Sequence, residues 1–347
     1  MVRILIVDDS AFMRNTLSRM IADDPELEVV GIARDGIEAI EKVALLKPDI
    51  VTLDVEMPRM NGIEALKQIM ATNPVPVLMV SSLTNEGAQA TLEALEIGAV
   101  DFIPKNLSDL SVNIVKIRDI LIEKIKTIGK MGLKIRKTPL VSRPIKMPTK
   151  PTEYTSHSKT GIVCIGSSTG GPKALQTIIT ALPKDFPVPI IIAQHMPPNF
   201  TGPFASRLNQ ISEVEVKEGE HGETLEKGVV YIAPGRGHMG VERKRITTTT
   251  IHITEGKGDY IYKPSVDELM TTAVKHYSGQ VFGVILTGLG NDGEKGMREI
   301  KNKGGRTIAE SEDTCVVYGM PKAVVLAGLA DKVVPLDEIA GEIINAV

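Results

Sequence analysis

Short apolar runs alternate with amphipathic segments over residues 1–125. Between the runs, segments such as 12–21 and 62–70 carry apolar residues at the spacing of one helix face. Five strand–helix units of this size predict an α/β domain built on a parallel, doubly wound sheet, with a final amphipathic helix over 110–128. The five apolar runs are 4–7, 29–33, 50–53, 77–80 and 101–103.

Residues 130–160 interrupt this alternation with four prolines, eight lysines or arginines and a single acid, Glu153. Such a composition is typical of an extended, solvated linker. We therefore predict a first domain over 1–125, a linker over 126–160 and a second domain over 161–347. In the second domain, further strand-like runs and a threonine-rich run at 246–253 predict an α/β domain with a mostly parallel sheet and a β-hairpin. The strand-like runs are 162–165, 188–193, 229–232 and 281–287.

Composition limits the class of protein and its partners. The chain has 347 residues, of which 42% are hydrophobic and 24% charged, as expected of a globular protein. A net charge of −3, few aromatic residues and no tryptophan argue against nucleic acid as a partner. We see neither a signal peptide nor a long apolar stretch, and expect a cytoplasmic protein without direct membrane insertion. Cys164 and Cys315 lack metal-ligand spacing and are predicted to be reduced core thiols.

Carboxylates follow two of the predicted strands of the first domain. Asp8 and Asp9 come directly after the first run, and Asp54 comes after the third. The carboxyl ends of strands in a doubly wound sheet line one crevice, and three carboxylates there would repel one another without a cation. Oxygen ligands suit Mg²⁺, and an aspartate neutralised by Mg²⁺ can attack a phosphoryl group to form an acyl phosphate.

Two further polar side chains follow the fourth and fifth runs. Ser81 can donate a hydrogen bond to phosphoryl oxygens, and Lys105 can place a positive charge on them. One aspartate at a strand end is commonly only a helix N-cap. Three aspartates with a lysine and a hydroxyl at four strand ends instead indicate a phosphoryl-transfer site.

The segments that carry these residues resemble a response-regulator receiver domain over residues 1 to about 122. They are V-D-D-S at 7–10, L-D-V-E-M-P-R-M-N-G at 53–62, M-V-S-S at 79–82 and D-F-I-P-K at 101–105. The resemblance implies a flavodoxin-like fold, Asp54 as the phosphoacceptor and a chemotaxis histidine kinase as the phosphodonor. It also implies the following roles: Asp8, Asp9, Asp54 and the Glu56 backbone as Mg²⁺ ligands, Ser81 and Phe102 as the switch pair, and Lys105 as the phosphate contact.

A glycine-rich turn at 166–171 follows the first apolar run of the second domain and precedes a helix start. G-S-S-T-G fits the G-x-S-x-G pattern, in which a tight turn presents an exposed serine hydroxyl above the sheet edge. The same residues could instead cradle a phosphate at a helix N-terminus. The turn alone therefore leaves both a nucleophile and a phosphate-binding loop open.

Two other strand ends of this domain carry the side chains that a serine hydrolase needs. His195 follows the run at 188–193, and Asp292 follows the run at 281–287. A serine of the turn, His195 and Asp292 are therefore predicted to converge at one edge of the sheet as nucleophile, base and acid. His238, near another strand end, is the reserve candidate for the base.

Other classes of output domain fit the second domain less well. A helix-turn-helix module would be smaller and basic. A dinucleotide-binding loop would need G-x-G-x-x-G spacing, which the turn lacks. The order serine, histidine, aspartate also differs from the order in α/β-hydrolases. The remaining alternative is a receiver-regulated nucleotide-binding or interaction module without hydrolase activity.

Four segments of the second domain resemble the catalytic domain of chemotaxis protein-glutamate methylesterases. The resemblance implies Ser168, rather than Ser167, as nucleophile, with His195 as base and Asp292 as its orienting acid. It implies that the enzyme hydrolyses glutamate methyl esters and deamidates glutamines on the cytoplasmic domains of chemoreceptors, with no cofactor for the esterase reaction. The segments are I-G-S-S-T-G-G at 165–171, Q-H-M-P-P at 194–198, Y-I-A-P-G at 231–235 and L-T-G-L-G-N-D-G at 286–293.

Overall fold

The computed structural model describes residues 1–105, 114–130, 160–245, 248–255 and 262–347. The chain divides into two compact units, Met1–Val141 and Ser142–Val347. None of the helices in the described ranges is long and apolar enough to span a membrane.

The first unit is a five-stranded parallel sheet in the order β2-β1-β3-β4-β5, with the helices following the strands in alternation. The predicted doubly wound receiver fold is therefore confirmed. The central strands read as continuous apolar runs because both faces of such a sheet are covered. The strands are β1 Val2–Val7, β2 Leu27–Ala33, β3 Ile50–Asp54, β4 Val77–Ser81 and β5 Asp101–Pro104, and the helices are α1 Ala11–Ala22, α2 Gly36–Leu46, α3 Gly62–Thr72, α4 Asn85–Ile97 and α5 Ile114–Lys130.

Side-chain caps fix where the helices of this unit begin. Ser10 accepts a hydrogen bond from the first turn of α1, and Asp35 accepts two from the first turn of α2. Asn61 and Glu64 form a reciprocal capping box at α3. The caps of α1 and α2 lie two or three residues beyond the carboxyl ends of β1 and β2, so both helices start at that edge of the sheet.

Helix α5 extends further than the sequence predicts. Leu121, Ile125 and Ile128 are buried on one face, as the amphipathic pattern indicates. The helix continues to Lys130, so residues 126–130 of the predicted linker are helical. The start of the predicted helix at 110–113 and residues 131–159 of the linker lie outside the described residues.

The second unit has a seven-stranded sheet in the order β14-β13-β12-β6-β7-β9-β8, with every neighbouring pair parallel. The strands β10 and β11 form a separate antiparallel hairpin. This confirms the predicted sheet and hairpin. The strands are β6 Thr160–Ser167, β7 Ile190–Gln194, β8 Glu215–Glu218, β9 Val229–Ile232, β10 His238–Arg245, β11 Thr248–Thr254, β12 Gln280–Ile285, β13 Arg306–Glu310 and β14 Lys332–Val334, and the helices are α6 Gly171–Ile179, α7 Pro198–Ile211, α8 Val266–His276, α9 Glu294–Asn302, α10 Met320–Leu326 and α11 Leu336–Asn345.

The core of the second unit lies between the central strands and α8. Cys164 in β6 is fully buried among apolar side chains such as Ile162 and Leu269. Burial raises the pKa of its thiol, which therefore stays protonated and unreactive. Cys315 is also buried, and its thiol donates to the Glu310 carbonyl oxygen at 3.9 Å, in keeping with the predicted pair of reduced core thiols.

Candidate active site

Strand β6 lies between β12 and β7, and the chain leaves the carboxyl ends of all three strands at the same sheet edge. Ser168 follows β6 directly, His195 follows β7, and Asp292 lies in the turn between β12 and α9. The chain runs from β6 outward to β7 and later returns to β12 on the other side. These residues therefore lie at the topological switch point, where open α/β sheets form their sites.

His195 and Asp292 are joined by a hydrogen bond of 2.8 Å between the imidazole Nε2 and the carboxylate Oδ2. The same carboxylate accepts bonds from the backbone N–H groups of Val266 and Asp267, at 2.8 and 2.9 Å, and from the Ser265 hydroxyl at 3.2 Å. Burial alone would raise the pKa of Asp292, but these hydrogen bonds outweigh it and lower that pKa below its ordinary value. The group is thus held as an anion facing the imidazole.

The first turns of α8 and α9 cap each other through two aspartates. Asp292, just before α9, accepts the N–H groups that begin α8. Asp267, in the first turn of α8, accepts the N–H groups of Gly293 and Gly296 at the start of α9, at 3.0 and 2.8 Å. Both helix N-termini therefore have a carboxylate partner, which favours negative charge at these positions.

The other imidazole nitrogen of His195, Nδ1, is buried and has no hydrogen-bond partner among the described residues. Since Nε2 faces Asp292, Nδ1 is the atom that remains to receive a proton from a serine. The hydroxyl of Ser168 does not bond to His195 within the described part of the chain. Hydrogen bonds between nucleophile and base are often loose in a free enzyme and tighten when substrate binds.

The two serines of the turn have different surroundings. Ser167 is completely buried, and its hydroxyl donates to Gln194 Oε1 at 2.6 Å. Ser168 is also buried, with 7% of the residue exposed. This is more enclosed than the exposed hydroxyl that the G-x-S-x-G pattern predicts. Of the two, only Ser168 has a hydroxyl that is not engaged with Gln194.

Gln194 connects the serine turn to the histidine loop. Its Nε2 donates to the carbonyl oxygens of Ser168 and His195, at 2.9 and 3.0 Å, while its Oε1 accepts from Ser167. The residue is 2% exposed, so all of these bonds are made away from water. Gln194 therefore sets the separation between the backbone of Ser168 and that of His195.

We expect Gln194→Leu to lower the free energy of unfolding by about 2–5 kcal/mol, because one hydroxyl and two carbonyl groups lose a buried partner. Urea unfolding of the purified protein measures this change. Gln210→Leu, on the exposed surface of α7, is the matched control and should stay within about 0.5 kcal/mol of the original protein. Equal stability of the two variants would contradict the prediction.

Three glycines allow the segments of the site to approach one another closely. A side chain at Gly171 would collide with Gln194 Oε1, and one at Gly288 would lie 2.8 Å from Ser168 Cβ. A third, Gly235 of the Y-I-A-P-G segment, lies against the backbone of Met196 and Pro197, just after His195. These glycines are required for close packing around the serine and the histidine.

The described hydrogen bond of His238 is to a backbone group and not to the Asp292 carboxylate. His238 is buried at the start of β10, and its Nδ1 accepts a hydrogen bond from the Ser265 backbone at 3.0 Å. Burial lowers the pKa of His238 and favours its neutral form. The geometry therefore favours His195 over the reserve candidate as the base.

In the first unit, Asp8, Asp9 and Asp54 each offer a carboxylate oxygen, and the three atoms lie within 4.8 Å of one another. Lys105 Nζ lies 2.6 Å from Asp54 Oδ2 and 3.2 Å from Asp8 Oδ2. Burial raises the pKa of Asp54 to about 6, and the Asp8 charge adds to this rise while Lys105 opposes it. The crevice therefore holds more negative charge than one lysine neutralises.

This arrangement of oxygens fits a divalent cation of the Mg²⁺ type. Asp8 Oδ2 and Asp54 Oδ2 are buried and accept no hydrogen bond from other described residues, although both pair with Lys105. Carboxylate oxygens are the ligands that Mg²⁺ prefers, and Asp9 is exposed on the solvent side. A side chain at Gly62 would collide with the Asp54 carbonyl oxygen, so the loop after β3 closes over Asp54 only because this residue is glycine.

The remaining predicted residues of the first unit lie in strands β4 and β5 or just after β3. The Glu56 backbone N–H donates to Asp54 Oδ1 at 3.2 Å. Ser81 is buried and donates to the Gly87 carbonyl oxygen at 3.1 Å, and Phe102 is buried in β5. The Lys105 backbone N–H donates to the Ser81 carbonyl oxygen at 2.7 Å, which ties the ends of β4 and β5 together.

Comparison with known proteins decides the family. A family model described as CheB methylesterase matches residues 163–343, and one described as response regulator receiver domain matches residues 4–114. The protein-glutamate methylesterase/protein-glutamine glutaminase 2 of Nitratidesulfovibrio vulgaris is 48% identical, over 99% of this chain and 99% of its own. The protein-glutamate methylesterase/protein-glutamine glutaminase of Pyrococcus horikoshii is 46% identical, over 100% of this chain and 94% of its own. The chain belongs to the protein-glutamate methylesterase/protein-glutamine glutaminase family.

A solved structure supports the fold of the second unit of this methylesterase-family chain. The crystal structure of the Thermotoga maritima CheB methylesterase catalytic domain is 45% identical and gives a TM-score of 0.52. The matched region is 54% of this chain and 99% of that domain.

Sequence reasoning missed two side chains that contact the histidine region of this methylesterase-family site. Gln194 directly precedes His195, but no spacing rule indicates that its amide bonds to the serine turn. Tyr262 stacks on the His195 ring, with centroids 4.5 Å apart and ring planes 10° from parallel. Because Tyr262 is far from His195 along the chain, only the folded structure shows this contact.

Proposed function

We propose that this chain hydrolyses glutamate methyl esters of chemoreceptors and deamidates receptor glutamines, and that Ser168, His195 and Asp292 perform this chemistry. The observation that carries the proposal is the 2.8 Å bond between His195 Nε2 and Asp292 Oδ2, next to the strand end that bears Ser168. The engagement of Ser167 with Gln194 supports Ser168 as the nucleophile. The full-length similarity to enzymes of this name supports the substrate class.

The residues suggest a two-step reaction. Ser168 Oγ attacks the γ-carbonyl carbon of the substrate while His195 Nδ1 takes its proton, and Asp292 stabilises the resulting imidazolium. His195 then gives the proton to the departing methoxy oxygen or amide nitrogen, so that methanol or ammonia leaves and an acyl-enzyme remains. Water, activated by the same imidazole, releases the glutamate and restores Ser168. No cofactor takes part in either step.

Backbone N–H groups after β12 are suited to stabilise the oxyanion of this reaction. Gly288 lies against Ser168, and the N–H groups of Leu289 and Gly290 donate to no other described residue. Thr169, directly after the nucleophile, is the other candidate donor. Donors of this kind act on charge that develops only in the transition state.

Methanol release from methylated receptor, measured with and without acetyl phosphate, tests both the proposed activity and its regulation by phosphorylation. We expect methanol release in both cases and a faster rate with the phosphodonor. A chain that released no methanol under either condition would be an interaction module and not an esterase.

The glycine turn itself argues against the alternative of a nucleotide-binding output. Gly170 lies close to the Val316 side chain, and Gly171 lies close to the amide oxygen of Gln194. Side chains of the protein therefore occupy the space beside the turn, where a phosphate cradle would need an open surface with free N–H groups.

For the first unit we propose that Asp54 is the phosphoacceptor, with a chemotaxis histidine kinase as the donor in the cytoplasm. Asp8, Asp9 and Asp54, with the Glu56 backbone, would hold Mg²⁺, which supplies charge neutralisation for phosphoryl transfer. Lys105 contacts the phosphoryl oxygens, and Ser81 and Phe102 respond to the modification. Phosphorylation of Asp54 then raises the esterase activity.

We expect Asp54→Asn to abolish the response to acetyl phosphate, because an amide cannot form an acyl phosphate. In the original protein the rise in methanol release should be about 5–150-fold, the usual size of such coupling. Addition of EDTA should remove the rise as well. The exposed Asp23→Asn is the control and should respond normally. A full response from Asp54→Asn would exclude Asp54 as the phosphoacceptor.

A further inference from the structure

Tyr262 covers one face of the His195 imidazole. The ring centroids are 4.5 Å apart and the planes are within 10° of parallel, which is a stacked contact. The imidazole therefore contacts Asp292 at its Nε2 edge and Tyr262 on one face, while Nδ1 is buried and has no hydrogen-bond partner among the described residues. A parallel stack limits rotation of the imidazole about its own side-chain bond, because rotation would lift the ring off its neighbour.

The same tyrosine also reaches the turn after β12. A side-chain carbon placed on Gly290 would lie 3.6 Å from Tyr262 Cε2 and 3.7 Å from its hydroxyl oxygen. Tyr262 thus lies near both the His195 ring and Gly290. Tyr262 is half-buried.

Tyr262 also belongs to the segment that holds Asp292. Three residues further along the chain, Ser265, Val266 and Asp267 donate hydrogen bonds to the Asp292 carboxylate. One short stretch before α8 therefore contacts both members of the His–Asp pair. A shift of this stretch would move the imidazole and the carboxylate together.

We propose that Tyr262 is a positioning residue for the esterase reaction, which holds the His195 imidazole with Nδ1 directed at Ser168 and stabilises the imidazolium that forms. The proposal rests on the proposed function, in which His195 takes the proton of Ser168. A cation over an aromatic face is attracted by the ring, and the attraction grows when water is excluded. Neutral imidazole gains less from this contact, so the ring favours the protonated base of the transition state.

The test uses the full-length chain with Mg²⁺ and acetyl phosphate, and measures methanol release from methylated receptor. Tyr262→Leu should lower kcat by about 3–30-fold, the factor expected from loss of a cation–π contact, while KM stays within about 2-fold. Tyr262→Met, an unbranched aliphatic replacement, should behave in the same way. Tyr262→Phe keeps the stacked ring and should remain within about 2-fold of the original kcat.

A fluorophosphonate that labels the active serine is reacted to completion with each variant. The amount of label gives the number of folded sites, and kcat is then calculated per site. An unchanged kcat in the leucine and methionine variants would overturn the proposal. An equal loss in the phenylalanine variant would overturn it too, since the hydroxyl and not the ring would then matter. Ser168→Ala is measured beside them. If methanol release did not depend on Ser168, the proposed function would fail, whereas failure of the Tyr262 proposal alone leaves that dependence intact.

Discussion

Ser168→Ala is expected to reduce methanol release by about 10⁴–10⁶-fold, the cost of removing the nucleophile from a serine–histidine–aspartate site. The protein should remain folded, because the Ser168 hydroxyl bonds to no other described residue and the backbone contacts of Ser168 are unaffected. Steady-state methanol release, together with thermal unfolding, measures both quantities.

Ser167→Ala is the matched control for this prediction. It removes the adjacent hydroxyl, whose single described bond is to Gln194 Oε1. We expect activity to fall by less than about 10-fold, since loss of one neutral hydrogen bond costs near 1 kcal/mol. If Ser167→Ala were the inactive variant and Ser168→Ala the active one, the nucleophile would be assigned to the wrong serine.

Asp292→Asn should lower kcat by about 10³–10⁴-fold, although the size of the side chain hardly changes. The Asp292 carboxylate acts only as a hydrogen-bond acceptor. Its donors are His195, two backbone N–H groups and the Ser265 hydroxyl. An asparagine would turn an N–H₂ group toward these donors, or else donate to His195 Nε2. In the second case the proton of the imidazole moves to Nδ1, which can no longer accept the proton of Ser168.

The same variant should also change the pH dependence of stability. Because the pKa of Asp292 is lowered in the folded protein, its contribution to stability is present above the ordinary aspartate pKa of 3.8. That contribution is lost as the pH falls through the lower, folded value. The difference in unfolding free energy between the original protein and Asp292→Asn should therefore be largest near neutral pH and shrink in acid.

Asp185→Asn serves as the control, since Asp185 is exposed before the amino end of β7, away from the strand ends that carry the site. Its activity and its stability should match those of the original protein at every pH. An Asp292→Asn variant that kept full kcat would show that the carboxylate does not set the proton position on His195.

Hydrophobic patterning predicted all five strands of the first sheet and four of the seven strands in the second, but it missed β8, β13 and β14. Strand β13 reads R-T-I-A-E, in which charged residues border a short apolar stretch. The continuous run of β6 and the acidic end of β3 are both visible in the sequence, because these strands are buried on both faces. Strand β8 reads E-V-K-E and lies at a sheet edge, where one face and one side are open to water. Strand β14 has only three residues. Neither carries enough apolar residues to be recognised without its neighbours.

The candidate site could be predicted as far as strand ends determine it. His195 and Asp292 each come after an apolar run in the sequence, and parallel strands bring such positions to one edge of the sheet. The choice between Ser167 and Ser168 came from family resemblance alone, and the bond from Ser167 to Gln194 now gives a physical reason for it. The stacking of Tyr262 on His195 depends on how the segment before α8 packs, which local patterns do not encode.

The exchange of carboxylates between α8 and α9 makes activity and folding inseparable at Asp292. A neutral replacement there leaves the first turn of α8 without its anion, while Asp267 still holds the start of α9. A substitution at Asp292 that alters the basicity of His195 would therefore also lower the stability of the second unit. Substitutions at Ser168 can lower the activity of this enzyme without lowering its stability, because the Ser168 side chain caps no helix.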